Sequence, residues 1–482
     1  MQDKVISIEA VPEFHDQCDL LVIGYGIAGA CAALEAARAG GDVLVLERSS
    51  AGGGASALSS GIFYLGGGTA VQEACGFEDS ADNMYRFMTA SMGSEDAELV
   101  QRYCADNVAH FDWLETQGIP FERSYHKDKA VFLLTTEGLL STGNEKVWPY
   151  REIARPVPRG HQVAQEGESP GSAAMEALIA RCAEAGVRSA CDTQVNALIR
   201  DGEGRICGVR ARQQGQDRYF RADRGVVMAT GGFSMNETMV RAHWPQYSET
   251  CEPLGGAYSD GSGIELGSAA GGRTEAMDGV IATASIYPPG QLIKGIVVNR
   301  NGHRFVAEDS YHGRLGGFIA EQPEQRAYLI VDAEIFAYPE IETARHQLVD
   351  GFETVEEMEQ RLEMPAGALQ TTMAEYNRHA REASDPQFQK HADWLKPLDQ
   401  GPWAAFDISF DRSSYLFITL GGLKIDCEAR VVDARGQVIP GLFAAGACTT
   451  HIPKSGKSYA SGMSLGPGSY FGRVAGRCAM SG

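Results

Sequence analysis

The chain has 482 residues, 44% of them hydrophobic and 22% charged, and a formal net charge of −21. That balance fits a globular enzyme of two domains and gives no cationic face for nucleic acid or for an anionic membrane. No apolar run reaches the ~18 residues of a spanning helix, and the start, Met-Gln-Asp-Lys-Val-Ile-Ser, has no basic leader and no twin arginine, so the expected location is the cytoplasm.

The first element is an apolar strand, Asp19 to Ile23. It runs into Gly24-Tyr25-Gly26-Ile27-Ala28-Gly29 and an alanine-rich helix, Ala30 to Ala39. A second strand, Asp42 to Leu46, ends on Glu47. This is a complete β-α-β dinucleotide fingerprint with its acid ~20 residues downstream. Gly24 permits the tight turn, Gly26 lets backbone approach a pyrophosphate, and Gly29 lets helix and strand pack closely. The helix N-terminus offers free N–H groups to phosphate. Glu47 accepts from ribose hydroxyls and disfavours a 2′-phosphate.

Glycines recur at Gly52-Gly53-Gly54, at Ser60-Gly61 and at Gly66-Gly67-Gly68, interleaved with Ile62, Phe63, Tyr64 and Leu65. Such runs bring backbone N–H groups close to an extended ligand. Residues 80–118 carry helical spacing, with Gly118 as the stop. Residues 120–170 are irregular, and a helix is expected from Gly171 to Ala185. Strands follow at Val195–Ile199 and Ile206–Val209, then at Val226–Ala229 leading into Thr230-Gly231-Gly232. A short helix is expected over Gly261–Ala270. From Met277 to Tyr415 glycine thins, and charged helices are expected at Thr354–Leu362 and Gly367–Ala383. Glycine strands return at Thr419–Leu423 and Pro440–Ala447, before a terminal helix from Leu465. The expected class is α/β: a discontinuous Rossmann-like nucleotide domain (1–275 and 416–482) with an inserted α+β capping domain (276–415). Eleven cysteines form no CxxC spacing and read as reduced thiols. No metal site is expected.

NAD and FAD share the opening fingerprint. The Ala229-Thr230-Gly231-Gly232 turn and the Gly441-Leu442-Phe443-Ala444-Ala445-Gly446 strand resemble accessory flavin motifs, so the expected cofactor is FAD. With no internal haem or iron–sulfur ligand set in view, electrons go to a separate partner.

The chain resembles the fumarate reductase and 3-ketosteroid dehydrogenase family of flavoproteins over nearly its whole length, and within it the Δ4-dehydrogenases of 5α-steroids. The residues that carry this are Ser60 to Thr69, Arg304 to Tyr311, and Tyr459-Ala460-Ser461-Gly462-Met463-Ser464-Leu465-Gly466. The resemblance implies Tyr311, Tyr459 and Ser461 as catalytic residues. The expected cofactor contacts from motifs and resemblance begin with Gly24, Gly26, Ile27, Ala28, Gly29, Glu47 and Arg48. They continue with Ser56, Ser60, Gly61, Val195, Ala229, Thr230 and Gly231, and end with Gly446, Ser464 and Leu465. The fumarate reductase branch keeps an arginine proton donor after the acidic residue of the middle tract, where this chain has His312, with Arg314 two residues on. Ser461 and Ser464 replace that branch's histidine and substrate-carboxylate arginine.

The implied reaction removes two hydrogens beside a ketone of a small apolar, steroid-like substrate. Tyr459, helped by a backbone N–H near Gly462 or Met463, donates to the carbonyl oxygen. Ser461 takes the α-proton, with Tyr311 as relay on condition that its pKa lies well below the usual ~10. The hydride goes to flavin N5. The base and relay roles of Ser461 and Tyr311 stay open, and so do Δ1-dehydrogenation, an ene-reductase acting on an unsaturated acid, and a flavin electron carrier.

Overall fold

A computed structural model describes residues 3–93, 95–130, 133–283 and 290–481. Its largest sheet has nine strands. Strand β1 (Asp16–Ile23) lies between β2 (Val43–Leu46) and β3 (Gln216–Met228), all parallel. Leu20, Leu21 and Val22 are fully buried, because β1 is covered on both faces and so reads as a continuous apolar run. Arg188–Ala190 extends the parallel set beyond β2, and Val438–Ala444 pairs in parallel with the C-terminal end of β3. Thr193–Arg200, Ile206–Gln213 and the first half of β3 form an antiparallel meander at the other side. The FAD-type α/β architecture expected from the glycine motifs is therefore present.

Helix α1 (Ile27–Arg38) follows β1 and carries Ala30, Ala32, Ala33 and Ala36, all fully buried. These small residues let the C-terminal helix, Leu465–Ser481, approach it backbone to backbone. A Cβ added to Gly472 would stand 2.3 Å from the Ala28 carbonyl oxygen, and one on Gly476 2.2 Å from that of Ala32. The last helix of the chain is thus locked onto the first.

The helical spacing over 80–118 resolves into three helices, Ala81–Met92, Ala97–Ala105 and Asn107–Thr116. Gly93, at φ +95°, ends the first, and Asp106, at φ −92° and ψ 2°, parts the second from the third. The irregular 120–170 stretch supplies two short strands, Leu139–Leu140 and Gly160–Gln162, and Gly160–Gln162 lies between Leu139–Leu140 and Ile62–Tyr64, antiparallel to both.

Four antiparallel strands build the smaller lobe: Ile296–Asn299, Ala327–Asp332, Trp403–Asp407 and Leu348–Phe352. Behind them, buried Arg304 bonds both carboxylate oxygens of Glu308 and both of Asp385 at 2.7–3.0 Å, with Lys390 Nζ 3.4 Å from Glu308. Buried charges persist only when paired in this way, and the network fixes the course of residues 304–311. A separate three-stranded sheet has Tyr415–Thr419 in the middle, parallel to Cys251–Pro253 and antiparallel to Val280–Thr283. All eleven cysteines are unpaired.

Candidate active site

The β1–α1 turn packs against the end of β3. Gly24 sits at φ +98°, and a Cβ there would fall 2.3 Å from the Ala229 carbonyl oxygen. A Cβ on Gly29 would fall 2.0 Å from the Gly24 oxygen, whereas one on Gly26 would meet nothing nearer than Ser56 Oγ, at 3.3 Å. Ser56 Oγ accepts the Ile27 N–H at 3.1 Å. The neighbouring N–H groups of Ala28 and Gly29 belong to the first turn, which has no intrahelical acceptors.

Glu47 is buried, and its two oxygens accept the Tyr25 and Ser49 N–H groups, each at 2.7 Å. Val195 lies two residues beyond Thr193, whose N–H donates to the Glu47 carbonyl at 2.9 Å. Arg48 is engaged elsewhere, paired with Asp260 at 2.5 Å and stacked 4.4 Å over Tyr258. Ser60 is half-buried with no hydrogen-bond partner among the described residues, and Gly61 packs on Pro170 and Gly171. Thr230 Oγ1 is buried, close to Cys448 and without a well-formed hydrogen bond among the described residues, beside Gly231 at φ +80°. Gly446 faces Ala28, and with His451, Met463, Ser464 and Gly468 it lines a small cavity at the head of the C-terminal helix, where Leu465 begins.

The other cluster joins the two lobes. Tyr311 immediately precedes the helix His312–Ile319, and its hydroxyl lies 2.9 Å from Ser461 Oγ. The Tyr459 ring is 6.4 Å from that of Tyr311. Burial, reinforced by the neighbouring Tyr459, pushes the Tyr311 phenol well above its ordinary range, against the opposing Ser461 hydrogen bond. The expected relay with a depressed pKa is thus corrected: an apolar enclosure disfavours tyrosinate. Tyr459 is pushed up to about 12 by burial, with Ser464 opposing. Of the two backbone donors considered, Met463 N–H is taken by the Ala460 carbonyl at 3.2 Å. Gly462 N–H has no acceptor among the described residues. Gly462 stands at φ +97°, and a Cβ there would be 2.4 Å from Tyr64 N, so no other residue fits.

His451 lies behind Tyr459, linked to it through Ser464. Its Nδ1 is 3.1 Å from the Leu420 carbonyl, so that nitrogen carries the proton and Nε2 accepts. Burial lowers its pKa to about 4, which keeps the ring neutral. Ser464 therefore donates to Nε2 at 3.3 Å and accepts from Tyr459 at 2.9 Å. His312 is not a loop residue: it opens its helix, buried, with its ring 4.0 Å from that of Tyr311. Arg314 donates to the Tyr150 hydroxyl at 2.8 Å, bridging the lobes. Arg159 and His161 stabilise a loop: Arg159 holds Asp79 at 3.0 Å through two nitrogens, and His161 bonds Thr69 at 2.7 Å.

A family model described as the FAD binding domain matches residues 19–462. The chain belongs to the FAD-binding-domain family. It is a flavin-dependent oxidoreductase of the fumarate reductase and 3-ketosteroid dehydrogenase group, and its cofactor is FAD. It is 29% identical over 512 residues to the 3-oxo-5-alpha-steroid 4-dehydrogenase of Comamonas testosteroni, covering 92% of this chain and 95% of that one. The 3-ketosteroid-Δ4-(5α)-dehydrogenase of Rhodococcus jostii RHA1, solved with 4-androstene-3,17-dione, superposes with a TM-score of 0.92 at 41% identity over 98% of this chain and 99% of that one. The 3-ketosteroid Δ1-dehydrogenase of Sterolibacterium denitrificans shares the fold, with a TM-score of 0.73 and 21% identity over 97% and 100% of the two chains.

The residues present fit FAD. The N-terminus of α1 suits a pyrophosphate, the buried Thr230 hydroxyl makes no well-formed hydrogen bond among the described residues, and the Gly446–Gly468 cavity is a cradle that side chains would fill. Among the described residues no helix is long and apolar enough to cross a membrane.

Proposed function

We propose that the protein dehydrogenates 3-ketosteroids, introducing the C4–C5 double bond into a 5α-substrate. The observation that carries this reading is the buried Tyr311–Ser461 hydroxyl pair, 2.9 Å apart beside Tyr459, in a chain 41% identical to a dehydrogenase of that specificity. Tyr459, kept protonated by burial, and the uncommitted Gly462 N–H donate to the C3 carbonyl oxygen and stabilise the developing enolate. Ser461 Oγ takes the C4 proton, the Ser461 proton moves to Tyr311, and the Tyr311 proton leaves towards solvent. Because burial disfavours tyrosinate, these shifts are coupled near neutral pH, and the rate rises at alkaline pH where Tyr311 loses its proton beforehand.

Gly24, Gly26, Ile27, Ala28, Gly29 and Glu47 would hold the adenosine diphosphate half of FAD, and Gly446, Ser464 and Leu465 its ring end. FAD, when bound, supplies a hydride acceptor for the hydrogen on C5. A separate electron acceptor, a capping role for residues 276–415 and a reducing, cytoplasmic setting consistent with unpaired cysteines belong to the same reading.

The test is product analysis of holoenzyme given 5α- and 5β-3-ketosteroids with an artificial acceptor. A 4-ene-3-ketone from the 5α-substrate is expected. A 1-ene product moves the reading to Δ1-dehydrogenation. A saturated ketosteroid that leaves the flavin oxidised, while an unsaturated acid reoxidises reduced enzyme, overturns it.

A further inference from the structure

We propose that Asn144 is a positioning residue that sets the contact between Tyr311 and Ser461; the inference rests on the function proposed above. The two hydroxyls meet at 2.9 Å from positions 150 residues apart. Tyr311 lies just before a helix, and Ser461 in the turn that leads to the last one. One short loop, Thr142–Glu145, touches the backbone of both.

On the Ser461 side the loop makes two bonds. The Ser461 N–H donates to the Thr142 carbonyl at 3.2 Å, and Thr142 Oγ1 donates to the Ser461 carbonyl at 3.1 Å. On the Tyr311 side it makes one: the Tyr311 N–H donates to Asn144 Oδ1 at 2.9 Å. Glu145 stiffens the loop from behind. Its Oε2 accepts the Gly143 N–H at 3.1 Å, and its Oε1 accepts the Tyr64 hydroxyl at 2.7 Å. Tyr64 in turn donates its N–H to the Gly462 carbonyl at 3.1 Å. Thr142, Asn144 and Glu145 are 1%, 2% and 1% exposed, so water does not compete for these bonds. Ser461 is therefore seated by the loop, and a single amide side chain fixes how far Tyr311 stands from it.

The amide also has the right charge. It accepts from the Tyr311 backbone without adding an anion beside a phenol that must pass a proton. A carboxylate there would raise the phenol further. The titratable groups already around Tyr311 are Tyr459, Glu145 and His312, with Lys129 reaching the Asp309 carbonyl two residues back.

The test compares Asn144→Leu and Asn144→Asp holoenzymes by anaerobic flavin reduction with a 5α-3-ketosteroid. Asn144→Leu is near-isosteric but cannot accept, and the expected loss in reduction rate is ~10²-fold, the order set by ångström-scale misplacement. Affinity for the 4-ene-3-ketone product, held by Tyr459 and Gly462, stays within about twofold. Asn144→Asp keeps the acceptor, so its maximal rate stays within about tenfold, while the rising limb of its pH profile moves to higher pH. Wild-type rates in Asn144→Leu, or an unshifted limb in Asn144→Asp, overturn the proposal. So does a loss of product affinity in proportion to rate, which marks general collapse. If Asn144→Leu yields no folded holoenzyme, the limb of Asn144→Asp decides alone. If the wild type is not reduced by any 3-ketosteroid, the proposed function fails instead. The clamp is then read by tyrosinate absorbance: the step abolished by Tyr311→Phe moves to higher pH in Asn144→Asp, or the clamp is wrong.

Discussion

The Tyr459 hydroxyl and the His451 imidazole converge on one atom, Ser464 Oγ, at 2.9 and 3.3 Å. With Nδ1–H committed to the Leu420 carbonyl, the proton order along this line is fixed. Tyr459 gives to Ser464, and Ser464 gives to His451. In the free enzyme the phenol proton is thus held away from the substrate side.

His451→Asn keeps a donor for Leu420 and withdraws the acceptor from Ser464. The Ser464 proton then turns to Tyr459, which frees the phenol to donate to a ketone. The expected result is about fivefold tighter binding of the 4-ene-3-ketone product, the worth of one neutral hydrogen bond, read from perturbation of the flavin spectrum. Unchanged or weaker binding contradicts the assigned proton order.

Tyr311 and Ser461 act as one unit if their 2.9 Å contact carries the proton. Tyr311→Phe and Ser461→Ala should each slow flavin reduction by ~10²-fold. The double variant should be no slower than the worse single one. Multiplying losses in stopped-flow reduction would show that the two residues work independently.

The three glycines of the opening turn should fail differently. At Gly24 the Cβ of alanine meets the Ala229 oxygen at 2.3 Å in a left-handed conformation, and at Gly29 it meets the Gly24 oxygen at 2.0 Å. Both substitutions should destabilise the apoprotein, Gly24→Ala by at least ~1–2 kcal/mol from backbone conformation alone. Gly26→Ala meets nothing nearer than Ser56 Oγ at 3.3 Å and should leave apoprotein unfolding intact while weakening FAD binding. Equal losses of apoprotein stability at Gly26 and Gly29 would contradict this division.

Acid sensitivity should trace partly to buried neutral histidines. His161 is fully buried, with its pKa lowered to about 4 by burial. Between about 6.5, its ordinary value, and 4 the unfolded chain holds a proton that the folded one does not. Stability conferred by the neutral ring is complete above that window and falls with falling pH through it. His161→Gln should flatten the fall in urea-unfolding stability between pH 7 and 5 by up to about one proton, at fixed saturating FAD.

Much of the nucleotide domain was legible because its signal is local. The Gly24–Gly29 turn, the buried strand β1 and the acid at Glu47 all lie between Asp16 and Glu47, and each has a fixed local cause. Tyr311, Tyr459 and Ser461 were legible only through family resemblance, since no periodicity links positions 150 residues apart. Asn144 and His451 carried no signal at all. Asn144 sits in a stretch whose composition reads as irregular, and its partner, the Tyr311 N–H, is a backbone group that every residue but proline possesses. The use of His451 depends on Leu420 and Ser464, which reach it from separate parts of the chain. The helical spacing of 80–118 hid two breaks, because apolar positions keep their rhythm across Gly93 and Asp106 while the backbone does not.

The strands Val280–Thr283 and Tyr415–Thr419 bracket the stretch that carries Tyr311, and they are hydrogen-bonded to each other along their length. Both ends of the long excursion that carries Tyr311 are therefore anchored side by side, and the place of that tyrosine is tied to this pairing as well as to Asn144.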